Sequence, residues 1–173
     1  MNEQLTHENN AFEAKEFPII LLSETVLQPA NTGSLFRLAD AFGVKKIYLP
    51  EGINLNSNRL KRTARATIKS VEHSFFFSIE EIVAHYKQVG YKIYCLEITE
   101  ESIAIERIQL QTESKILLVV GNENFGISSA TLKLADACIH ITMFGQNSSM
   151  NIAQATGIAL FEITKKLSQI KKK

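Results

Sequence analysis

Three segments of the 173-residue chain combine glycine with amide, hydroxyl or charged side chains that packing alone does not require. They are QPANTGSLFR (28–37), GNENFG (121–126) and FGQNSSMN (144–151). Glycine lets the backbone approach a ligand closely, and the polar groups beside it can hold a phosphate, a nucleotide or a reacting atom. These three loops are therefore the candidate functional segments.

The common nucleotide and hydrolase motifs are missing from these loops. GNENFG has the G-x4-G spacing of a phosphate loop, but Ile127 and Ser128 follow where Lys and Ser/Thr are required. No G-x-G-x-x-G dinucleotide fingerprint occurs, and the segment 145–149 lacks G-x-S-x-G spacing. Three histidines have no partner motif and are predicted to be satisfied or surface residues: His73, His85 and His140.

Cysteine usage and hydropathy indicate a reduced protein without a membrane segment. Cys95 and Cys138 lie in apolar runs without CxxC or Cys/His spacing, so neither a disulfide framework nor a zinc site is supported. No apolar run approaches the roughly 18 residues that span a bilayer, and the N-terminus has no signal-peptide core. We expect a cytoplasmic protein without a metal.

Composition indicates one ordinary globular domain, with 45% hydrophobic and 21% charged residues. The formal net charge of +1 is an average over unlike regions. Residues 1–16 carry four glutamates and one lysine, whereas residues 165–173 carry five lysines. We predict a flexible acidic leader at 1–16, a domain at 17–167 and a basic tail at 168–173.

Short apolar runs alternate with helical patterns along the predicted domain. Runs that are apolar on both faces predict strands of a sheet covered by helices on each side. The predicted strands are 17–23, 45–50, 91–98, 115–121 and 137–143. The pattern indicates an α/β domain with a mainly parallel sheet, and in such sheets ligands bind where loops leave the carboxyl ends of strands.

Helical periodicity is clearest after the first predicted strand, where four apolar residues over 35–42 share one face and Gly43 ends the pattern. Asn31 or Thr32 is the predicted N-cap of this helix. Further helices are predicted over 79–89, 128–136 and about 150–167.

The three loops occur within longer motifs of known order. NTGSLFRLADAFGV matches N-x-G-x-x-x-R followed by an amphipathic helix, and LLVVGNENFGIS matches an apolar strand followed by G-x-E-x-x-G. IHITMFGQNSSMNIAQATGIALFE matches a strand, a loop and S-[LM]-N at the start of the final helix. With these motifs, the chain resembles the SpoU (TrmH-like) branch of the SPOUT RNA methyltransferases over about residues 17–165.

The resemblance implies a fold and an activity. The implied fold is a homodimeric α/β domain whose C-terminal part forms a deep trefoil knot around an S-adenosylmethionine pocket, an exception to the general absence of knots. The implied activity is methyl transfer from S-adenosylmethionine to a ribose 2′-hydroxyl of tRNA or rRNA, with tRNA favoured because the chain leaves little room for an additional RNA-binding domain. A noncatalytic knotted RNA-binding module is the alternative.

The resemblance also assigns catalytic positions. Arg37 matches the motif arginine, which acts either as a base or by orienting phosphate and hydroxyl. Asn31 is either a functional residue or a helix cap, and Glu123 is expected to be a scaffold residue rather than a proton acceptor. Ser149 and Asn151 either cap the last helix or contact the cofactor or the arginine.

Cofactor contacts follow from the same resemblance. They are expected mainly through backbone groups and packing against the adenine, at positions near the ends of three predicted strands. The implied residues are Leu96, Gly121, Ile141, Ser149 and Met150.

A basic stretch, NRLKRTARATIK (58–69), is the candidate RNA-binding segment. No acidic residue occurs from Gly52 to Val71, although a solvated surface would also explain such a run. The basic residues are Arg59, Lys61, Arg62, Arg65 and Lys69. Many relatives have S-x-G-A here, whereas this chain has Thr63 to Thr67 as TARAT, a departure that bears on substrate identity. The lysine tail either adds RNA affinity or is a frayed end.

Overall fold

The computed structural model describes residues 12–111, 113–122, 124–147 and 149–169. Its centre is a seven-stranded sheet of order β3-β2-β1-β6-β4-β7-β5, in which every pairing is parallel. The strands are β1 Phe17–Ser23, β2 Val44–Pro50, β3 His73–Phe76, β4 Tyr91–Leu96, β5 Ile103–Ala104, β6 Lys115–Val120 and β7 Ala137–His140. The predicted parallel sheet is therefore confirmed.

Helices cover both faces of this sheet, as the two-sided apolar runs predict. They are α1 Pro29–Ala41, α2 Asn58–Ala64, α3 Thr67–Ser70, α4 Ile79–Gln88, α5 Ser129–Leu134 and α6 Ile152–Gln169, with a 3₁₀ turn at Ile105–Arg107. Alternate residues of β1 belong to two separate cores: Ile19 and Leu21 face α1, α2 and α6, whereas Ile20 and Leu22 face α4 and α5.

Helix α1 begins earlier than predicted, so the prediction that Asn31 or Thr32 caps it is wrong. Gln28 is the capping position and Pro29 is the first helical residue, where its missing N–H and fixed φ cost nothing. Asn31 and Thr32 lie buried inside the first turn, and the Thr32 hydroxyl donates to the Val26 carbonyl at 3.1 Å. The first motif loop is thus largely helical.

Four elements were not predicted: the strands β3 and β5 and the helices α2 and α3. Helix α2 packs on α1 at Gly33, where an added Cβ would lie 2.7 Å from the Leu60 carbonyl oxygen and 2.9 Å from the Thr63 Cβ. The absence of a side chain at Gly33 therefore permits the close contact between the two helices.

The parallel arrangement brings four loops to one edge of the sheet. The carboxyl ends of β1, β4, β6 and β7 meet there, and the loops that follow them include all three candidate segments. No helix in the described part of the chain has the length and apolar character needed to cross a membrane.

Candidate active site

The loop after β6 is folded tightly on itself. The backbones of Asn122 and Gly126 exchange two hydrogen bonds of 3.1 and 2.8 Å, and Gly126 has φ +65°. The Asn122 amide also donates to the Thr25 carbonyl at 3.2 Å, which ties the loop to the segment after β1. A Cβ at Gly121 would overlap the carbonyl group of Gly126 and lie 2.7 Å from the Ile127 nitrogen. Glycine at 121 is therefore a steric requirement.

Glu97, the residue after β4, holds the other side of this loop. One carboxylate oxygen accepts from the Ile127 N–H at 3.1 Å, and the other accepts from the Ile98 N–H at 3.0 Å. Glu97 also lines the adjacent cavity. Sequence reasoning missed this residue, although its signal was available: a carboxylate directly after a buried strand at the carboxyl edge of the sheet.

A cavity of about 340 Å³ lies between the loops after β4, β6 and β7. All five positions that the resemblance assigns to the cofactor line it: Leu96, Gly121, Ile141, Ser149 and Met150. Polar side chains of Asn122 and His140 share the wall with the exposed ring of Phe125, none of which was expected there. His140 is satisfied as predicted, because its Nδ1 lies 2.9 Å from the Ser102 hydroxyl.

Asn151 joins the last motif to the first. Its side-chain oxygen accepts from the Ala153 and Gln154 N–H groups at 3.0 and 3.3 Å, so it caps α6, one of the two roles expected for it. Its side-chain nitrogen donates to the Asn31 oxygen at 3.2 Å. Asn31 therefore connects α1 to α6, which fixes the relative position of two motifs about 120 residues apart in sequence.

Arg37 lies exposed on a neighbouring groove between α1 and α6. Ser34 and Thr63 line the same groove, and Met150 lines both the groove and the cavity. The cavity and the groove that Arg37 lines therefore share Met150 as a common lining residue. Asn151 also lines this groove, which places four of the predicted site residues around one junction: Arg37, Ser149, Met150 and Asn151.

Glu123 lies outside the described residues, so its predicted scaffold role has no structural description. The five predicted RNA-binding residues are all exposed on α2, α3 and the turn between them. Among the described residues none of the five has a carboxylate partner within ion-pair distance. Thr63, in the last turn of α2, lines the groove that Arg37 also lines.

Burial changes the chemistry of one cysteine. Cys95 lies on β4 beside Cys138 on β7, at matched positions of the two strands. Burial raises the pKa of the Cys95 thiol to about 12, so this side chain is a protonated core residue at neutral pH. Both thiols are free, as predicted.

Comparisons with known proteins identify the family of this chain. The SpoU rRNA Methylase family profile matches residues 18–161. A tRNA (guanosine(18)-2'-O)-methyltransferase from Aquifex aeolicus is 26% identical over 168 residues, covering 94% of this chain and 76% of the relative. The chain spans less than two thirds of the length of several other curated relatives.

Solved structures agree in fold. The A. aeolicus TrmH/SpoU tRNA modifying enzyme matches with a TM-score of 0.81 at 25% identity, over 91% of this chain and 79% of that one. An AdoMet-bound rRNA methyltransferase from Sinorhizobium meliloti matches with a TM-score of 0.79 at 25% identity, over 90% of this chain and 59% of that one. The family match covers most of the chain and the fold agrees with it, so this protein belongs to the SpoU rRNA methylase family.

Proposed function

We propose that this protein is an S-adenosylmethionine-dependent methyltransferase that modifies a ribose 2′-hydroxyl of RNA. One observation carries the proposal: the cavity lined by all five expected cofactor residues meets, at Met150, the groove that presents Arg37. The Aquifex relative is named a tRNA 2′-O-methyltransferase, and the Sinorhizobium structure is described as AdoMet-bound, which supports the same chemistry.

The cavity fits a cofactor of this class. Its volume of about 340 Å³ lies within the range of small-molecule pockets, and its wall combines apolar side chains with backbone groups of a tight loop. Leu96, Ile141 and Met150 provide apolar contact, while Gly121 and Ser149 provide backbone and hydroxyl groups. S-adenosylmethionine supplies an already activated methyl group, so the transfer requires no metal.

Arg37 is proposed to orient the RNA. Its guanidinium can bind a phosphate with two parallel hydrogen bonds and thereby hold the neighbouring 2′-hydroxyl toward the cavity. We favour this role over proton abstraction, because a guanidinium group carries hydrogen-bond donors only and has no acceptor for the hydroxyl proton. Asn31 and Asn151 then act as positioning residues, since their hydrogen bond fixes α1 relative to α6. We keep Glu123 as a scaffold residue of the 121–126 loop.

The exposed basic residues of α2 and α3 are the proposed RNA-binding surface. They lie in a stretch without acidic residues, and Thr63 brings this stretch to the groove that holds Arg37. An RNA bound across them would therefore reach the cavity. We propose tRNA as the first substrate to test, ahead of rRNA, since relatives of both names occur in the family.

A second copy of this chain is the proposed occupant of the part of the α1–α6 groove that is lined by Leu38, Ile158 and Phe161. Ile158 and Phe161 are 42% and 57% exposed there, and Leu38 packs beside them. A homodimer would cover these side chains, and it would leave Arg37 of one protomer at the border of its partner. RNA held partly by the partner could then reach that arginine.

The trefoil knot is also proposed from the topology. Strands β4 and β5 follow each other in the chain, yet β7 lies between them in the sheet. The 97–102 connection must therefore pass β7, whose chain continues into α6 and packs against α1.

We further propose that 17–167 is the catalytic domain, flanked by an acidic leader and a basic tail, and that the protein acts in the cytoplasm.

The proposal is tested by methyl transfer from labelled S-adenosylmethionine to bulk RNA from a strain that lacks the gene. We expect label in RNA with the wild-type protein and none without it. RNA binding without transfer to any RNA would contradict the proposal and leave a knotted RNA-binding module.

A further inference from the structure

Arg65, in the turn between α2 and α3, has an unusual backbone conformation. Its φ is 55° and its ψ is −131°, and it is the sole non-glycine residue of the described chain with positive φ. In this region the Cβ of an L-residue meets its own backbone, so glycine is strongly favoured. An arginine here lowers the stability of the fold.

Burial and hydrogen bonds hold the backbone on both sides of this turn. Leu60 and Ala64 are fully buried and fix α2 against α1. The Arg65 N–H donates to the Lys61 carbonyl at 2.8 Å, and the Thr67 hydroxyl donates to the Ala64 carbonyl at 2.6 Å. Both sides of the turn are therefore held, and none of these interactions involves the Arg65 side chain.

The Arg65 side chain forms no ion pair, within the described residues, that would offset the unfavourable backbone. It is exposed, and no carboxylate of the described residues pairs with it. Lys46 provides the contrast, because it forms a 2.9 Å ion pair with Glu72. No ion pair within the described residues therefore offsets the unfavourable backbone of Arg65.

The position of the turn points to RNA. Thr63, two residues earlier, lines the groove that holds Arg37 and reaches Met150 at the cavity. We infer that Arg65 is a phosphate-binding residue that determines affinity for the RNA substrate, and that its unfavourable backbone is retained for this purpose. The inference rests on the proposed function. Arginine suits the role because its planar guanidinium binds a phosphate through two donors at once.

The test is a set of variants at one position, compared by thermal unfolding and by binding to an unmodified tRNA transcript across a salt series. Arg65→Gly relieves the backbone, so its Tm should rise by about 2–4 °C. Its affinity for the transcript should fall roughly tenfold, and the slope of log K against log salt should become shallower by about 0.9.

Arg65→Ala is the matched control, because it removes the charge and keeps the strained backbone. It should lose RNA affinity as Arg65→Gly does, with a Tm near that of the wild type. Arg65→Lys should recover part of the affinity and the full salt slope. An Arg65→Gly protein with unchanged affinity and slope, or with a lowered Tm, would overturn the inference.

Failure of the proposed function would look different. Binding is measured without turnover, so a wild-type protein that binds the transcript and transfers no methyl group would refute the enzymatic proposal while the Arg65 comparison remained decisive. A wild-type protein whose binding to the transcript is absent or independent of salt would refute the Arg65 inference itself.

Discussion

Arg37 is exposed on the α1–α6 groove and lines no part of the cavity itself, so its proposed role is to position RNA and not to hold the cofactor. Arg37→Ala should therefore reduce methyl transfer at least about 100-fold, the loss expected when a reacting group is misplaced. Calorimetry should give an unchanged affinity for S-adenosylmethionine, and the Tm should stay within about 1 °C because surface changes have small effects.

Arg37→Lys is the informative companion of this variant. Lysine keeps the charge and loses the planar pair of donors, so an intermediate rate is expected if phosphate orientation is the task. Arg37→Ala with a near-normal rate would remove this residue from the mechanism.

Among the residues, the motifs indicated which positions would line a common cavity. They did not indicate the hydrogen bonds that these residues and their neighbours form. The five cofactor positions come from three distant parts of the sequence and line one cavity. The role of Asn31 as a cap was wrong, because Pro29 begins α1 earlier and leaves Asn31 inside the first turn. Glu97 was missed although it directly follows a buried strand, since its contact with Ile127 depends on where the 121–127 loop folds. Within the TARAT stretch, Arg65 has the unfavourable backbone conformation, which the sequence did not reveal.

At the element scale, the 121–127 loop is the least tolerant part of the site. Gly121→Ala places a methyl group against the Gly126 carbonyl, so the loop must open. Because this overlap is with backbone atoms and not with a flexible side chain, we expect a Tm lower by several degrees, about 4 °C or more. The affinity for S-adenosylmethionine should fall at least tenfold by calorimetry, since the cavity wall moves with the loop.

Gly145→Ala is the control, because a Cβ at this loop glycine meets no atom within 4 Å. Its stability and cofactor affinity should match those of the wild type. Equal behaviour of the two variants would mean that the close contact at Gly121 does not shape the cavity.

Local patterns predicted the central elements better than the peripheral ones. Strands β1 and β6 are buried on both faces over most of their length, and their sequences are nearly continuous apolar runs. The edge strands β3 and β5 have four and two residues, too few to show a period. Helix α2 buries only Leu60 and Ala64. Two apolar residues are too few to show a helical period, and the contact of α2 with Gly33 depends on the tertiary structure.

At the scale of the whole molecule, the dimer is the clearest proposal to test. Phe161→Glu would place a charge in the apolar α1–α6 groove, which a partner would have to bury without compensation. We expect light scattering after size exclusion to give a dimer for the wild type and a monomer for this variant. Phe77→Glu is the control, since Phe77 is exposed near β3 and does not line the groove. A wild-type monomer at micromolar concentration would contradict the dimer.

Net charge and length said little about function at this scale, because the +1 averages an acidic N-terminal segment and a lysine-rich end. The threading of β7 between β4 and β5 was likewise inaccessible to local patterns, since it depends on which strands pair across more than 30 residues. The sequence indicated this strand order only through the resemblance of its motifs to a family with a known fold.

Methyl transfer to a ribose 2′-hydroxyl of RNA is the activity that we expect of this chain. The most direct test incubates the purified protein and S-adenosylmethionine with tRNA and rRNA from a strain lacking the gene, then maps ribose methylation at nucleotide resolution. We expect new 2′-O-methylation at discrete nucleotides with the wild type and none with Arg37→Ala. Transfer to a base, or no transfer to any RNA by a protein that binds both S-adenosylmethionine and RNA, would contradict this expectation.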